Sequence, residues 1–413
     1  MSIHKIAARG VAIFAGASAA IALAGAGLVP AEAAGPIPVP CSVTALATAI
    51  NTAPNGSLLV LAPYCTYPLT SRLTITNNLS LLGSSTTISR STSATNPFSL
   101  LSVQGNVSIT NVNFRGGSGV IGGAISNSGA LSISGGLFSG NTASLYGGAI
   151  GNMGTLAISG AVFTGNTANS VGGAILDLMT ATLLNCRFTG NSTPGDGGAI
   201  ASEMPKDGPI QSGKKTPATA DGPLAPPMAH LTVSNSSFTA NNSQDGGAID
   251  AAGFLTLSGD GFTGNGSPTT YMGGAVTLEV GTMTMTHSTL SGNQAGNGGA
   301  VFDNETATFI SDNITGNTAN TALNGNGGGI YYDGQITVTN SKISSNNAVD
   351  DGGGIFAEGP STISGTQIFK NQAAYMGGGI YNRGSAITLS HSPVYSNTPD
   401  NCSPAGSTPG CIG

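Results

Sequence analysis

Eight charged residues follow copies of a recurring Gly-Gly motif by a few positions: Asp177, Glu203, Asp250, Glu279, Asp303, Asp333, Glu358 and Arg383. Placed by a repeat, they stand near one column and line one edge of whatever the repeat builds. Two carboxyl groups at a set separation can cleave a glycosidic bond as acid and base or nucleophile. Carboxylates that hold Ca²⁺, with a basic residue near the sugar, can support elimination from an acidic polysaccharide. The candidates for such work are Asp303, Asp333, Glu358 and Arg383, with Arg383 one repeat beyond Glu358. A blander reading stands beside this one. Asn127, Asn152 and Asn382 occupy similar positions, as expected of a solvated turn that accepts any polar residue. A second acidic set, Asp196, Asp245 and Asp351, precedes Gly-Gly, where Asp is a common turn residue.

Other reactive side chains point to less. His287 and His391 share a repeat position but lie four repeats apart, about 19 Å at strand spacing, too far for one metal ion. His230 belongs to another position, and the three read as surface residues. Cys186 takes a position otherwise held by Gly136, Ala161, Ser236 and Ser288, as a small buried filler would. No Gly-Gly-x-Gly-x-Asp calcium repeat occurs, and the sequence calls for no cofactor or metal. With 7% charged residues, a net charge of −6 and no basic stripe, nucleic acid is not an expected partner.

The repeat that positions these residues has two halves. Gly-Gly-Ala-Ile, as at Gly147-Gly148-Ala149-Ile150, recurs from Gly122 to Gly377, mostly at intervals of 25 residues. Phe-x-x-Asn, as at Phe163-Thr164-Gly165-Asn166, follows the earlier copies, and later copies keep the scheme with Leu290, Ile343 or Val394 in place of Phe. Apolar residues stand seven and five positions before each Phe, as Leu156 and Ile158 do before Phe163. That i, i+2 spacing is strand alternation. Each repeat therefore holds three short strands, which close a core only by stacking on the next repeat. The columns of Phe and of Asn (Asn141 to Asn397) then stack on themselves, and amides in register bond along a ladder. The stretch from Phe to the next Gly-Gly varies in length and reads as an exposed corner loop.

Four segments result. Residues 1–33 have Lys5 and Arg9, an apolar run and Ala31-Glu32-Ala33, which together read as a cleaved secretory signal. No later run is long enough to span a membrane as a helix. In residues 34–106, Val43, Leu46, Ala47 and Ile50 make one helical face that would cap the first coils. Repeats fill 107–397, with a Pro- and Lys-bearing loop inserted at about 203–227. Residues 398–413 close the chain. In an exported protein, Cys41 pairs with Cys65 and Cys402 with Cys411, leaving Cys186 free.

At Gly-Gly-Ala-Ile and Phe-x-x-Asn the sequence resembles the polymorphic outer membrane proteins of the chlamydial type. It is also similar to secreted bacterial β-helix proteins of pectin-lyase-like fold, over residues 107 to 397. The ending Asn397 to Cys402 resembles actinobacterial members of that group. The resemblance implies an all-β, right-handed parallel β-helix with an N-terminal capping helix. Outer-membrane members carry a C-terminal autotransporter barrel, and none is expected here after Asn397. The expected function is surface display, adhesion or binding of a polysaccharide or cell-surface protein, outside the cell and without catalysis. The alternative is a polysaccharide lyase or glycoside hydrolase acting along the carboxylate edge, and a third reading is a plain structural spacer.

Overall fold

The computed structural model describes residues 35–203, 228–320 and 325–412. The expected signal segment and, Glu203 apart, the expected insertion lie outside the described residues. From Pro36 onward the chain is one compact unit, and it is a parallel β-helix. The strands of a repeat pair in parallel with their equivalents in the next, in register except for shifts near Leu82, Ala143 and Ala251: Ile125, Ile150, Ile175 and Ile200 form one file.

One coil shows the plan. Ile150–Asn152 follows Gly-Gly, Thr155–Ser159 carries the Leu-x-Ile pair, and Val162–Thr164 carries the Phe. Alternate residues face the core, so Leu156, Ile158 and Phe163 are buried while Thr155, Ala157 and Ser159 are exposed. The Phe file runs from Phe114 to Phe262, with adjacent rings 4.7–4.9 Å apart and nearly parallel. Stacking repeats thus supplies the hydrophobic contact that a single coil lacks.

Two of the corners have strict requirements. Gly147 has φ +63°, and a Cβ there would lie 2.2 Å from the Ile150 carbonyl oxygen. A Cβ on Gly148 would lie 2.1 Å from the Gly173 carbonyl oxygen in the next coil. Both residues must be Gly, the first for its backbone and the second for the close approach of two coils. After the Phe strand comes Asn. Asn141 donates Nδ2–H to Oδ1 of Asn166 at 2.9 Å and to the Phe114 carbonyl at 3.1 Å. Its backbone N–H reaches the same Oδ1. The pattern continues to Asn397, which bonds to Asn401. Asn141 Oδ1 accepts from the Gly117 N–H, and from Asn166 onward each amide oxygen accepts twice, so the ladder pairs its buried polar groups.

The stretch after Asn is more ordered than a plain loop. A fourth short strand, Thr167–Ala168 in this coil, pairs with the coil before it. Its Ala file includes Ala319, Ala348 and Ala373, all buried. Two residues per coil are too few to print a pattern on the sequence. The corner before the Phe strand explains His287 and His391. Both have left-handed backbone (φ 52° and 51°), as do Asn185, Asn235 and Asn340 at the same place. Asn and His tolerate that conformation better than most residues.

Helix α1, Val43–Thr52, is capped by Ser42, whose side chain accepts from the Ala45 N–H. It buries Leu46 and Ile50 in the same core as Val39 and Leu59 of the first coil. Disulfides join Cys41 to Cys65 and Cys402 to Cys411, while Cys186 is free and buried. Burial raises its thiol pKa, so it is an inert filler. No described helix is long and apolar enough to cross a membrane.

Candidate functional site

The strand after Gly-Gly positions the charged residues, and it does not place them in one row. Counted from the first Gly of each motif, Asp250 is four residues on, Asp177 and Asp303 are five on, and the others six on. Adjacent residues of a strand face opposite sides. Asp250 therefore lies outside the coil, Asp177 and Asp303 turn inward, and Glu203, Asp333, Glu358 and Arg383 face out again. The single carboxylate edge expected from the sequence is three files.

Asp303 is wholly buried. Its Oδ1 accepts the Glu305 N–H at 3.2 Å, two residues ahead, as an Asp at a turn does. Burial, with the Glu305 charge as a lesser contribution, raises its pKa to about 7. Asp177 sits at the same corner with pKa raised to about 6 by burial. It ends a second side-chain ladder: Asn127 Nδ2 donates to Asn152 Oδ1 at 2.6 Å, and Asn152 Nδ2 to Asp177 Oδ1 at 2.7 Å. The Asn residues that matched the acidic row in sequence match it in space too, as corner acceptors.

Asp333, Glu358 and Arg383 do fall in successive coils of one outward file. Arg383 forms a salt bridge with Glu358, and its side chain is 65% exposed. Beside this file runs an aromatic stack the sequence reading missed. Phe302, Tyr331, Phe356 and Tyr381 lie four residues after their Gly, with ring centres 4.8–5.1 Å apart. Phe302 and Phe356 are buried, whereas Tyr331 and Tyr381 are half-exposed. Burial and then the Glu358 carboxylate keep the Tyr331 phenol protonated. The signal was available as an aromatic at one offset in four successive repeats.

A second cluster was also missed. Asp196, Glu203 and Asp250 bring carboxylate oxygens within 4.8 Å of one another. Asp196 is half-exposed and the other two are buried. Oxygen donors so gathered are the kind that hold a hard divalent cation, and none of the three is free of other partners here. The sequence hid this group because Asp196 precedes its Gly-Gly and Asp250 belongs to the next coil. A third set, Asp260 and Asp312, is structural. Each accepts two backbone N–H bonds, from Ser236 and Ser258 and from Ser288 and Ile310, in the file of Cys186.

Residues 160–176 and 185–203 match the Chlamydia polymorphic membrane protein repeat family. The chain is a β-helix repeat protein like the polymorphic membrane proteins. A comparison with curated proteins finds no match. Among solved structures, tailspike protein 3 of bacteriophage CBA120 aligns at 13% identity with a TM-score of 0.42. The alignment covers 88% of this chain and 59% of the tailspike chain.

Proposed function

We propose that this chain is an exported, non-catalytic binding protein that holds a polysaccharide against the outward face around Tyr331, Tyr381, Glu358 and Arg383. The half-exposed rings of Tyr331 and Tyr381, set in a rigid aromatic stack beside an exposed ion pair, carry the reading. A sugar ring has an apolar C–H face and a rim of hydroxyls. An aromatic platform takes the face, and a planar guanidinium with a carboxylate takes the rim. Because the rings are fixed by their neighbours, little side-chain entropy is lost on binding. Export is supported by the signal-like start and by two disulfides, which persist in oxidising compartments. Asp303 and Asp177 serve as buried turn acceptors, which supports binding over catalysis along this edge.

Affinity electrophoresis of the purified chain through gels containing polygalacturonate, alginate or cell-wall polysaccharide tests the reading. Retardation is expected with at least one polymer. The double substitution Tyr331→Ala and Tyr381→Ala should weaken it about tenfold, the effect of losing about 1.4 kcal/mol of stacking. Turnover of any of these polymers, or retardation unchanged in the double variant, would overturn it.

A further inference from the structure

The outward face of the Leu-x-Ile strands carries Thr at its central position in every coil from Thr182 to Thr388. The file passes through Thr232, Thr256, Thr284 and Thr308, with each Thr the register partner of the next. We infer that this face is an ice-binding surface, a site separate from the aromatic stack. Three observations carry the inference.

The first is uniformity where packing asks for none. These Thr are exposed or half-exposed, so the core does not choose them. High β-propensity does not explain them either, because it would act equally on the neighbouring outward file. That file holds Thr180, His230, Phe254, Thr282, Thr306 and Gln335 in the same coils.

The second is a lattice of unspent hydroxyls. The described structure gives the central Thr hydroxyls no hydrogen bond to protein, although flanking hydroxyls do pair, as Thr286 Oγ1 does with Ser258 Oγ at 3.1 Å. β-Branching limits χ1, so each methyl and hydroxyl is held in step with the next. Successive rungs repeat at about 4.8 Å, and flanking outward positions on one strand lie about 6.8 Å apart. The register shift along these coils falls at Ala251 and Ala252, at the corner before the Leu-x-Ile segment, and within that segment the pairing from Thr182 to Thr388 is uninterrupted. The result is a grid periodic in two directions.

The third is charge. From the coil of Thr182 to that of Thr388, the Leu-x-Ile segments themselves, such as residues 253–258 and 282–286, contain no Asp, Glu, Lys or Arg. A neutral face complements a neutral surface. One hydroxyl gains little by exchanging liquid water for another partner. Only a ligand that repeats in step with the grid engages all its members at once and gains from their linkage. Ice presents such a ligand: a neutral, rigid, two-dimensionally periodic array of hydrogen-bonding oxygens. A single soluble sugar offers no such period.

The experiment cools the full chain with a single ice crystal in a nanolitre osmometer, scoring crystal shape and the gap between melting and growth. Faceted growth and a measurable gap are expected. Thr284→Tyr with Thr308→Tyr, which raises two posts in the grid, should reduce the gap at least fivefold. Thr239→Tyr, on the neighbouring Phe strand, should leave it unchanged. If the bulky pair fails to fold by circular dichroism, Thr284→Ala with Thr308→Ala removes the hydroxyls without added bulk and should give the same loss. Round, unshaped crystals, or a gap unaffected by a folded grid variant, would overturn the inference. So would grid-dependent retention on microcrystalline cellulose or chitin in place of ice. Neither grid pair touches Tyr331 or Tyr381, so polysaccharide retardation should survive in both, and the two readings fail separately.

Discussion

Two corners of the same coil solve the same problem with different strictness. Both place a side-chain oxygen inside a turn to accept backbone N–H groups. At the corner after the Phe strand the residue is Asn from Asn141 to Asn397. At the corner after the Gly-Gly strand it is Asn152, Asp177, Ser202, Ala251, Leu278, Asp303, Tyr332, Ala357 and Asn382 in turn. The difference lies in how many bonds each residue closes. A ladder Asn satisfies groups in the coils on both sides, so one change strands several partners. At the second corner the ladder is short, from Asn127 to Asp177; further along, the oxygens of Asp303 and Asn382 accept only within their own turns, and in other coils an apolar residue takes the place. Uniformity inside the core reflects mutual dependence; variety marks independence.

The largest expected effect breaks the strict corner. Asn241 donates to Asn265 Oδ1 at 2.9 Å and to the Phe188 carbonyl at 3.1 Å, and it accepts twice from Asn191. Asn241→Asp replaces the donor with an oxygen aimed at two other oxygens, in a fully buried site. It should destabilise by about 3–5 kcal/mol, the range for an uncompensated buried group. The urea midpoint, with the slope of the transition unchanged, measures this. A loss under about 1 kcal/mol would mean that the ladder is ornament.

Much of the fold could be read in advance because its signals are columns. Gly147 and Gly148, the Phe file and the Asn file each specify one structural place, and all agree on a parallel stack. Helix α1 was legible from Leu46 and Ile50, which it buries. The candidate site was less legible because its residues were grouped by nearness to Gly-Gly, whereas a strand sorts its residues by parity. One residue of offset separates exposed Asp333 from buried Asp303. Asp260 and Asp312 were overlooked for a related reason: they share a file with Cys186 and Ser236, and a column mixing Asp with Ser, Cys and Ala has no visible motif. Three-dimensional neighbours from different coils, such as Asp196 and Asp250, leave no trace in spacing at all.

The permissive corner gives a smaller effect of opposite sign. Asp303 has its pKa raised to about 7 in the folded chain, against about 3.9 unfolded. The folded state thus holds the proton more tightly. Its contribution is fully present below about pH 4 and is lost as pH rises through about 7. Asp177, Asp260 and Asp312, each raised to about 6, act in the same direction. Thermal midpoints should therefore fall between pH 4 and pH 7. Asp303→Asn keeps the acceptor for the Glu305 N–H and removes the buried charge, as Asn152 and Asn382 do in their own coils. It should stabilise the protein at pH 8 by about 1–3 kcal/mol and flatten the pH profile. Destabilisation at pH 8 would show instead that the carboxylate is required there.

The smallest effect belongs one residue further along the same corner. Glu358 pairs with Arg383 on the outside of the stack, where the Arg side chain is 65% exposed. Water competes for both groups, and the Coulombic gain is offset by the cost of fixing two long side chains. Glu358→Gln should leave the urea midpoint unchanged, in low salt and in high salt alike. A salt-sensitive loss of stability would mean that the pair is structurally required and that strictness extends beyond the Asn corner. An unchanged midpoint alongside weakened retardation by polysaccharide would separate the roles of adjacent residues: the inward one shapes the turn, and the outward one is free to meet a ligand.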